Sequence, residues 1–184
     1  MYIRVISGTA RGAKLFSPDG VKTRPTSDFV KESLFNILGN DLADSSFLDL
    51  FAGSGAIGIE ALSRGGSCAV FVDASAASAA LIRRNLEKTR LVSNARVVCA
   101  DYKKALRGLE GQNFDIVFID PPYDRALTES AIEAVVSSGV LAEGGIVVAE
   151  MAKGDAVSED FAVSVGLAIY KQRQYSGTEL IFLK

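Results

Sequence analysis

The sequence predicts an α/β fold: a mostly parallel β-sheet with helices on both faces, an antiparallel hairpin at its C-terminal edge, and a small N-terminal β-hairpin and helix. Three observations lead to this prediction. From residue 47 onward, near-continuous apolar strands alternate with helical patterns, which is typical of a parallel sheet covered on both faces. Beyond residue 163, two strand-like segments follow each other with no helical pattern between them. The first 40 residues read as a short hairpin followed by one helix.

The elements follow in order from local residue chemistry. Residues 3–7 and 14–17 are predicted to pair around a turn at residues 8–12 that contains two glycines. N-cap side chains at residues 26–28 then begin a helix that runs to about residue 38, with an apolar side formed by Phe29, Leu34, Phe35 and Leu38. The sheet is predicted to use strands at residues 46–51, 69–73, 96–100, 114–120 and 146–150, helices at residues 56–63, 75–89, 103–109 and 126–137, and tail strands at residues 163–170 and 179–183.

Length and composition indicate one globular domain. With 184 residues the chain is long enough for one α/β domain, in which residues 45–184 form the core and residues 1–40 an extension. Its 48% apolar and 23% charged residues carry no signature of disorder. The apolar runs are of strand length and the start has no signal-peptide pattern, so we expect no membrane span and a cytoplasmic protein.

The few reactive side chains restrict the chemistry. Cys68 and Cys99 lie far apart in apolar sequence and are predicted to be buried free thiols, which fits a reducing cytoplasm. Because the chain has no histidine, Ser-His-Asp and Cys-His catalysis and a histidine-based zinc site are excluded, and no metal site is predicted. The chemistry must therefore depend on carboxylates, backbone groups, tyrosines or a cofactor.

The charge is distributed unevenly along the chain. The net charge is −2, but residues 1–107 hold 15 Lys/Arg against 10 Asp/Glu, whereas residues 108–184 hold 5 against 12. Residues 83–107 alone carry eight basic and two acidic side chains. A local basic face can bind a polyanion while the whole chain stays acidic, although solvated helix faces would produce the same count.

A glycine loop follows the first core strand. Gly53, Gly55 and Gly58 satisfy the pattern G-x-G-x-x-G between a strand and a helix, where backbone amides can approach a ligand closely. Asp73 ends the next strand, 20 residues after Gly53, where its carboxylate can accept both hydroxyls of a ribose. This arrangement predicts a Rossmann-like cofactor fold. An NAD enzyme fits it nearly as well, and ordinary βα geometry remains the simplest alternative.

Two further acids favour S-adenosylmethionine over NAD. Asp49 lies inside the strand ahead of the glycines, and a buried acid is costly unless it faces a cation such as the ammonium of a methionine moiety. Asp101 follows a third strand and could accept a hydrogen bond from an adenine amino group. No second segment suited to nicotinamide is evident. The predicted cofactor-binding residues are Asp49, Phe51, Gly53, Gly55, Asp73, Ala74, Asp101, Tyr102 and Thr26.

The most informative motif is Asp120-Pro121-Pro122-Tyr123, which ends a strongly apolar strand. The prolines fix φ and remove two backbone donors, which leaves rigid carbonyls beside a carboxylate. Such acceptors can bind an amino group, and Tyr123 can stack on an unstacked base. These four residues are therefore the predicted catalytic residues.

This motif, together with the glycine loop, resembles the methyltransferases that act on adenine N6 or guanine N2. Further segments across nearly the whole chain are similar to the bacterial small-subunit (16S) ribosomal RNA guanine-N2 methyltransferase family. These segments are Arg4-Val5-Ile6-Ser7-Gly8, Arg11-Gly12, Lys14-Leu15, Pro18-Asp19-Gly20, Thr23-Arg24-Pro25-Thr26-Ser27-Asp28, Leu34-Phe35-Asn36-Ile37-Leu38 and Tyr175-Ser176-Gly177-Thr178, of which residues 23–28 are the most specific. The chain departs from the family at Phe29, where Arg is common, and at its Tyr-Ser-Gly-Thr tail, where Tyr-Gly-Asp-Thr is usual.

The resemblance implies a class I S-adenosylmethionine-dependent enzyme that methylates N2 of a guanine in 16S rRNA, either in naked RNA or in an assembling small subunit. It implies that Asp120 and the Pro121 carbonyl accept the two N–H groups of the amine and that no metal is needed. We expect the enzyme to be a monomer. Residues 1–24 hold five basic side chains and one acid, so Arg4, Arg11, Lys14 and Arg24 are predicted to contact RNA.

Three alternatives remain open from the sequence. Adenine-N6 methylation of RNA or DNA would use the same Asp-Pro-Pro-Tyr motif, although 184 residues leave no room for the target-recognition insertion usual in DNA enzymes. A non-catalytic cofactor-fold binding module and an NAD oxidoreductase are the other two. Stabilisation by S-adenosylmethionine but not by NAD would exclude the oxidoreductase.

Overall fold

The computed structural model describes residues 3–17, 27–122, 125–155 and 157–184. Its strands are β1 (Ile3–Arg4), β2 (Lys14–Leu15), β3 (Ser46–Asp49), β4 (Cys68–Asp73), β5 (Ala95–Cys99), β6 (Phe114–Ile119), β7 (Leu141–Ala152), β8 (Ile169–Gln174) and β9 (Thr178–Leu183). Its α-helices are α1 (Asp28–Leu38), α2 (Ala56–Ser63), α3 (Ala76–Thr89), α4 (Tyr102–Gly108), α5 (Arg125–Ser137) and α6 (Glu159–Ser164). The predicted α/β class is confirmed.

A seven-stranded sheet with the order β5-β4-β3-β6-β7-β9-β8 forms the centre of the described fold. The strands from β5 to β7 are mutually parallel, whereas β9 is antiparallel to both β7 and β8. The chain runs outward from β3 to β5 and then returns to β6 on the other side of β3. Ligands of such sheets bind outside the carboxyl ends of the strands where the order reverses, which here is between β3 and β6.

Two apolar layers cover the sheet. One layer joins the N-terminal hairpin to α1, α2 and α3 through residues such as Leu34, Ile59 and Ile82. The other joins α4, α5 and α6 through Leu106, Ile132 and Ala162. The two faces therefore carry different partners: the N-terminal extension packs on the same face as the helix that follows the glycine loop.

A buried ionic cluster anchors the N-terminal extension to α2. The carboxylate of Glu60, which is fully buried, accepts the N–H groups of Ile6 and Ser7 at 2.8 and 2.9 Å. Arg64 pairs with the same carboxylate at 2.8 Å and Lys31 at 3.4 Å. Burial lowers the pKa of Lys31, while the charge of Glu60 opposes that shift.

Gly8 completes this attachment by its lack of a side chain. It has a φ of +80°, and a Cβ placed on it would lie 1.6 Å from the Ser63 carbonyl oxygen. The neighbouring Thr9 donates its N–H to that same oxygen at 2.8 Å. Only glycine permits this close approach, so the hairpin is held against the end of α2 as a fixed part of the domain.

Four predictions need correction, two about the bounds of elements and two about which side chains are buried. The segment at 163–170 is helical through Ser164 and enters a strand only at Ile169. The strand predicted at 146–150 extends over Leu141–Ala152 because it pairs with neighbours on both sides. Phe29, predicted to lie on the apolar side of α1, is 69% exposed, and its ring lies edge-on to that of Tyr175 at 5.8 Å between centroids.

The fourth correction concerns the cysteines. Cys68 and Cys99 are free thiols, but both are exposed rather than buried. Cys68 is the first residue of β4, and Cys99 is the last residue of β5, which lies at the edge of the sheet. The apolar neighbours of Cys68 in β4 are buried, whereas those of Cys99 in the edge strand β5 are only half-buried, so apolar sequence surroundings did not imply burial of either thiol.

Candidate active site

The glycine loop turns sharply between β3 and α2. Gly53 and Gly55 have φ values of +54° and +76°, and Gly55 is the N-cap residue of α2. A Cβ on Gly53 would meet nothing within 4 Å, which leaves open space beside the loop. At Gly58, by contrast, a Cβ would lie 2.3 Å from the ring of Phe71. Open space thus lies beside Gly53, whereas a Cβ on Gly55 would lie 3.2 Å from Ile82 and Gly58 permits close packing of helix on strand.

Asp73 fastens the glycine loop to the end of β4. Its Oδ2 accepts the N–H of Gly53 and its Oδ1 accepts the N–H of Ser75, both at 2.8 Å. Each carboxylate oxygen can still accept further hydrogen bonds. The structure places Asp73 at the carboxyl end of β4, in direct contact with Gly53, while its binding of a ribose stays a prediction.

Asp49 is a buried acid at the end of β3. It is 2% exposed, and its Oδ2 accepts the N–H of Gly58 at 3.1 Å. Burial raises the pKa of Asp49 to about 7, the hydrogen bond from Gly58 opposes this, and the charge of Asp73 adds to it. A cationic ligand placed nearby would favour the ionised carboxylate.

The other predicted cofactor residues surround the ends of β3, β4 and β5. The rings of Phe51 and Tyr102 lie 5.3 Å apart, centroid to centroid. Asp101 is the N-cap residue of α4 and accepts the N–H of Lys103 at 3.0 Å. Ala74 follows Asp73 and is exposed. Thr26 lies outside the described residues.

Asp120 lies directly after β6, beside the end of β7. The register of the two strands pairs Ile119 with Ala149, so the next residues, Asp120 and Glu150, are neighbours. Desolvation raises the pKa of Asp120 well above its usual value, and the charges of Glu150 and Asp49 raise it further. Three carboxyl groups therefore lie near one another at the strand ends where the sheet order reverses.

Two residues at this site were not predicted. Glu150 is buried, and its Oε1 lies 3.2 Å from the hydroxyl of Thr178, which belongs to β9. Pro121 and Glu150 also line one small recess with Thr128 and Met151. Two features of the sequence could have indicated these residues: Glu150 lies near the end of an apolar strand, and Thr178 is the last residue of the Tyr-Ser-Gly-Thr segment. Of the motif itself, Pro121 is buried, Pro122 is exposed, and Tyr123 lies outside the described residues.

The predicted RNA-binding residues that the structure describes lie on the N-terminal hairpin, where Arg4 and Lys14 are register partners of β1 and β2. Arg4 is exposed and pairs with Asp28 at 2.8 Å. Arg11 and Lys14 are exposed on the N-terminal hairpin, and Arg24 lies outside the described residues. The structure thus leaves the hairpin accessible and adds a competing carboxylate at Arg4.

Other features of the described chain lie apart from this site. A groove of about 490 Å³ separates α4 from α5, and none of the residues that line it is a predicted site residue. Among the described residues, no three potential ligand side chains are close enough to hold a metal ion. Within the same ranges, no helix has both the length and the apolar character needed to cross a membrane.

Comparison with known proteins gives consistent matches. The family described as conserved hypothetical protein 95 matches residues 3–184. YlbH of Bacillus subtilis is 38% identical over 184 residues, which covers 93% of this chain and all of that protein. Ribosomal RNA small subunit methyltransferase D of Escherichia coli is 41% identical over 148 residues, 80% of this chain and 74% of its relative. The solved structure of yhhF from Escherichia coli superposes with a TM-score of 0.87 at 34% identity, covering 100% and 97% of the two chains.

Proposed function

Because this chain belongs to the conserved hypothetical protein 95 family, we propose that it is an S-adenosylmethionine-dependent rRNA methyltransferase that modifies the exocyclic N2 of a guanine in 16S rRNA. Relatives from Escherichia coli and Haemophilus influenzae that are named ribosomal RNA small subunit methyltransferase D support the reaction class and the RNA. The choice of guanine N2 is the finer part of the proposal. We place the enzyme in the cytoplasm as a monomer that acts on 16S rRNA or on an assembling small subunit.

The residues at the ends of β3, β4 and β5 fit S-adenosylmethionine. The open space at Gly53, the backbone turn at Gly55 and the carboxylate of Asp73 suit a nucleoside with a ribose. Asp49, buried and with a pKa raised to about 7, suits a cationic amino group. Phe51 and Tyr102 offer rings, and Asp101 an acceptor, for an adenine. When bound, S-adenosylmethionine would supply an electrophilic methyl group on a sulfonium.

Asp120 and Pro121 would hold the amine that receives the methyl group. The lone pair of guanine N2 is delocalised into the ring, so the free amine is a poor nucleophile. Acceptance of its two N–H groups by the Asp120 carboxyl and the Pro121 carbonyl would favour a pyramidal nitrogen with a directed lone pair. Most of the rate would then arise from positioning and electrostatics.

The proton balance is simple. With S-adenosylmethionine as methyl donor, a new N–C bond would replace its sulfonium S–C bond, and one of the two amine protons would have to leave. Burial and the neighbouring charges of Glu150 and Asp49 raise the pKa of Asp120, so its carboxylate would be a better proton acceptor than that of an exposed Asp. We propose that Asp120 mainly positions the amine and that the proton is released to water.

The observation that carries this proposal is the meeting of Asp49 and Asp120 where the strand order reverses between β3 and β6. One acid ends the strand that leads into the glycine loop, and the other begins the acceptor motif. Adenine-N6 methylation is the rival with the same geometry.

The test is nucleoside mass spectrometry of 16S rRNA from cells with and without the gene. Gain and loss of N2-methylguanosine with the gene is expected, and complementation with Asp120→Ala should not restore it. A change in N6-methyladenosine instead would overturn the guanine assignment while keeping the reaction class. No change in any methylated nucleoside would overturn the function.

A further inference from the structure

An aromatic side chain on the N-terminal extension is paired with two cations. The ring of Phe16 is 38% exposed. The guanidinium carbon of Arg84 lies 4.4 Å from its centroid and the ammonium of Lys88 lies 4.3 Å from it. Arg84 and Lys88 are one turn apart on α3, so both approach the ring from the same helix. We call Phe16, Arg84 and Lys88 the cation–aromatic platform.

The backbone beneath this ring is rigidly held. Asn85, fully buried on α3, accepts the N–H of Phe16 at 2.7 Å and donates to the Phe16 carbonyl at 3.0 Å. The same amide donates to the Ser54 carbonyl in the glycine loop at 2.9 Å. One side chain thus fixes Phe16 relative to the candidate cofactor loop.

Further exposed basic side chains lie on the same two elements, together with one exposed acid, Glu87, beside Lys88. Arg83, on the same helix, is exposed, as are Arg11 and Lys14 on the hairpin. A ring kept partly in water beside several cations matches the way in which single-stranded nucleic acids are bound, with bases stacked on aromatic rings and phosphates held by basic side chains. Because Asn85 already orders the backbone, stacking on Phe16 would cost little additional conformational entropy.

We propose that the cation–aromatic platform binds a single-stranded segment of the substrate RNA outside the catalytic site, with one base stacked on Phe16 and adjacent phosphates held by Arg84 and Lys88. The inference rests on the proposed function for the identity of the substrate. It adds a second point of attachment to the amine-binding site. Because Asn85 bonds both the Phe16 backbone and the glycine loop, a strand bound at Phe16 would lie at a fixed distance from the candidate cofactor site.

The experiment measures binding of the full chain to an unstructured single-stranded oligoribonucleotide that contains 2-aminopurine and a fluorescent label. Phe16→Leu removes the aromatic ring but keeps an apolar side chain, and should weaken binding by about fivefold or more and reduce 2-aminopurine quenching. Phe16→Tyr should bind as wild type. The double variant Arg84→Gln/Lys88→Gln should lower the salt dependence by about 0.7 in log–log slope for each phosphate that is no longer neutralised.

Matched controls come from exposed residues elsewhere. Tyr170→Leu removes another exposed ring, on β8, and Lys153→Gln another exposed cation. Neither should change RNA binding. Thermal unfolding and S-adenosylmethionine affinity, measured on every variant, should stay at wild-type values, which shows that the platform variants are folded.

Two outcomes overturn the platform: Phe16→Leu binds RNA as wild type, or the control variants weaken binding equally. The proposed function fails separately, if the wild-type enzyme leaves N2-methylguanosine in 16S rRNA unchanged. In that case weaker oligoribonucleotide binding by Phe16→Leu would still establish the platform as an RNA-binding surface.

Discussion

The two halves of the candidate active site differ in how their carboxyl groups are held. In the half built on β3 and β4, Asp73 accepts two backbone N–H groups and joins two strand-end loops. In the half built on β6 and β7, Asp120 lies beside Glu150, and desolvation and mutual repulsion raise its pKa. Asp49 lies between them and shares features of both, since it is buried and also accepts the N–H of Gly58.

The difference indicates that the two halves are arranged in different ways before a ligand binds. Asp73 is fixed by two backbone donors of the protein itself, so we expect the first half to be preformed for its ligand. The second half keeps acids close together at an electrostatic cost that a positively charged or N–H-rich ligand would relieve. Binding is therefore expected to depend most on the first half, and the rate of the chemical step on the second.

The largest effect is expected from Asp120→Ala. It should lower kcat by roughly a hundred- to a thousandfold, because an oriented acceptor is removed where positive charge develops on the amine. Cofactor affinity should not change, and stability near neutral pH should be equal or higher, because repulsion with Glu150 and Asp49 is removed. Single-turnover kinetics, calorimetry and thermal unfolding measure the three quantities.

Asp120→Asn is the matched control, because its amide oxygen still accepts an N–H group but cannot take a proton. If Asp120 mainly positions the amine, Asn should retain much of the activity. Activity as low as that of the Ala variant would show an obligatory proton acceptor. Wild-type methylation of rRNA by Asp120→Ala would remove the residue from the site.

Asp73→Ala should act on binding. We expect affinity for S-adenosylmethionine to fall by at least about tenfold, equivalent to about 1.4 kcal/mol, because the substitution removes both the ribose acceptor and the bonds to Gly53 and Ser75. Ser75→Ala removes the N-cap of α3 but leaves both backbone bonds to Asp73, so it is the control for a loosened start of α3 and should keep the affinity near wild type. Unchanged affinity by calorimetry would exclude Asp73 from the cofactor site.

Asp49 should make cofactor affinity depend on pH. With its pKa raised to about 7, the carboxyl loses its charge as pH falls through that value, so affinity for a cationic ligand should fall by up to about tenfold between pH 8 and pH 6. Asp49→Asn should abolish this dependence. A pH profile that is the same in both proteins would assign the cation to another group.

The same substitution should stabilise the free protein at pH 8. An acid whose folded pKa lies above its unfolded value destabilises the fold increasingly as pH rises between the two values, here from 3.8 to about 7. Asn avoids this cost and can still accept the N–H of Gly58. An increase of about 1–3 kcal/mol in the free energy of unfolding is expected at pH 8 and none at pH 3, by denaturant titration.

The smallest effect is expected outside both halves, on the N-terminal hairpin. Arg11→Gln/Lys14→Gln should raise the KM for RNA by about two- to fivefold and flatten its salt dependence, since phosphate contacts weaken with salt. Cofactor affinity should not respond. Lys153→Gln/Lys171→Gln provides a control of equal charge change. A salt dependence identical to wild type would show that the hairpin only covers the core.

The part of the site that the sequence predicts is the part encoded locally. Gly53, Asp73 and Asp120 lie at or just after the ends of strands, in segments with recognisable residue patterns. The position of each follows from the spacing within its own βα unit. Glu150 was not predicted because its position beside Asp120 depends on the register between β6 and β7, which no local sequence pattern specifies. Helix α6 was missed in part because apolar residues alternate at Val163, Val165 and Leu167, which is a strand-like period.

Burial was harder to predict than element type. Phe29 has an apolar side chain but faces solvent in the first turn of α1, where the next residue, Val30, is the one that packs into the core and Tyr175 is the aromatic neighbour of Phe29. Phe16 is similar: its identity indicates a core residue, and only the positions of Arg84 and Lys88 show why it can remain at the surface.

The position of β9 between β7 and β8 has a consequence for folding. β9 follows every other strand in the chain, yet its residues Leu180–Leu183 are fully buried within the sheet. Until β9 docks, β7 is an open sheet edge that carries the apolar run Ile146–Ala149. Such edges pair readily with other chains. A chain in which β9 cannot dock is therefore expected to aggregate during folding rather than to survive as a weaker enzyme.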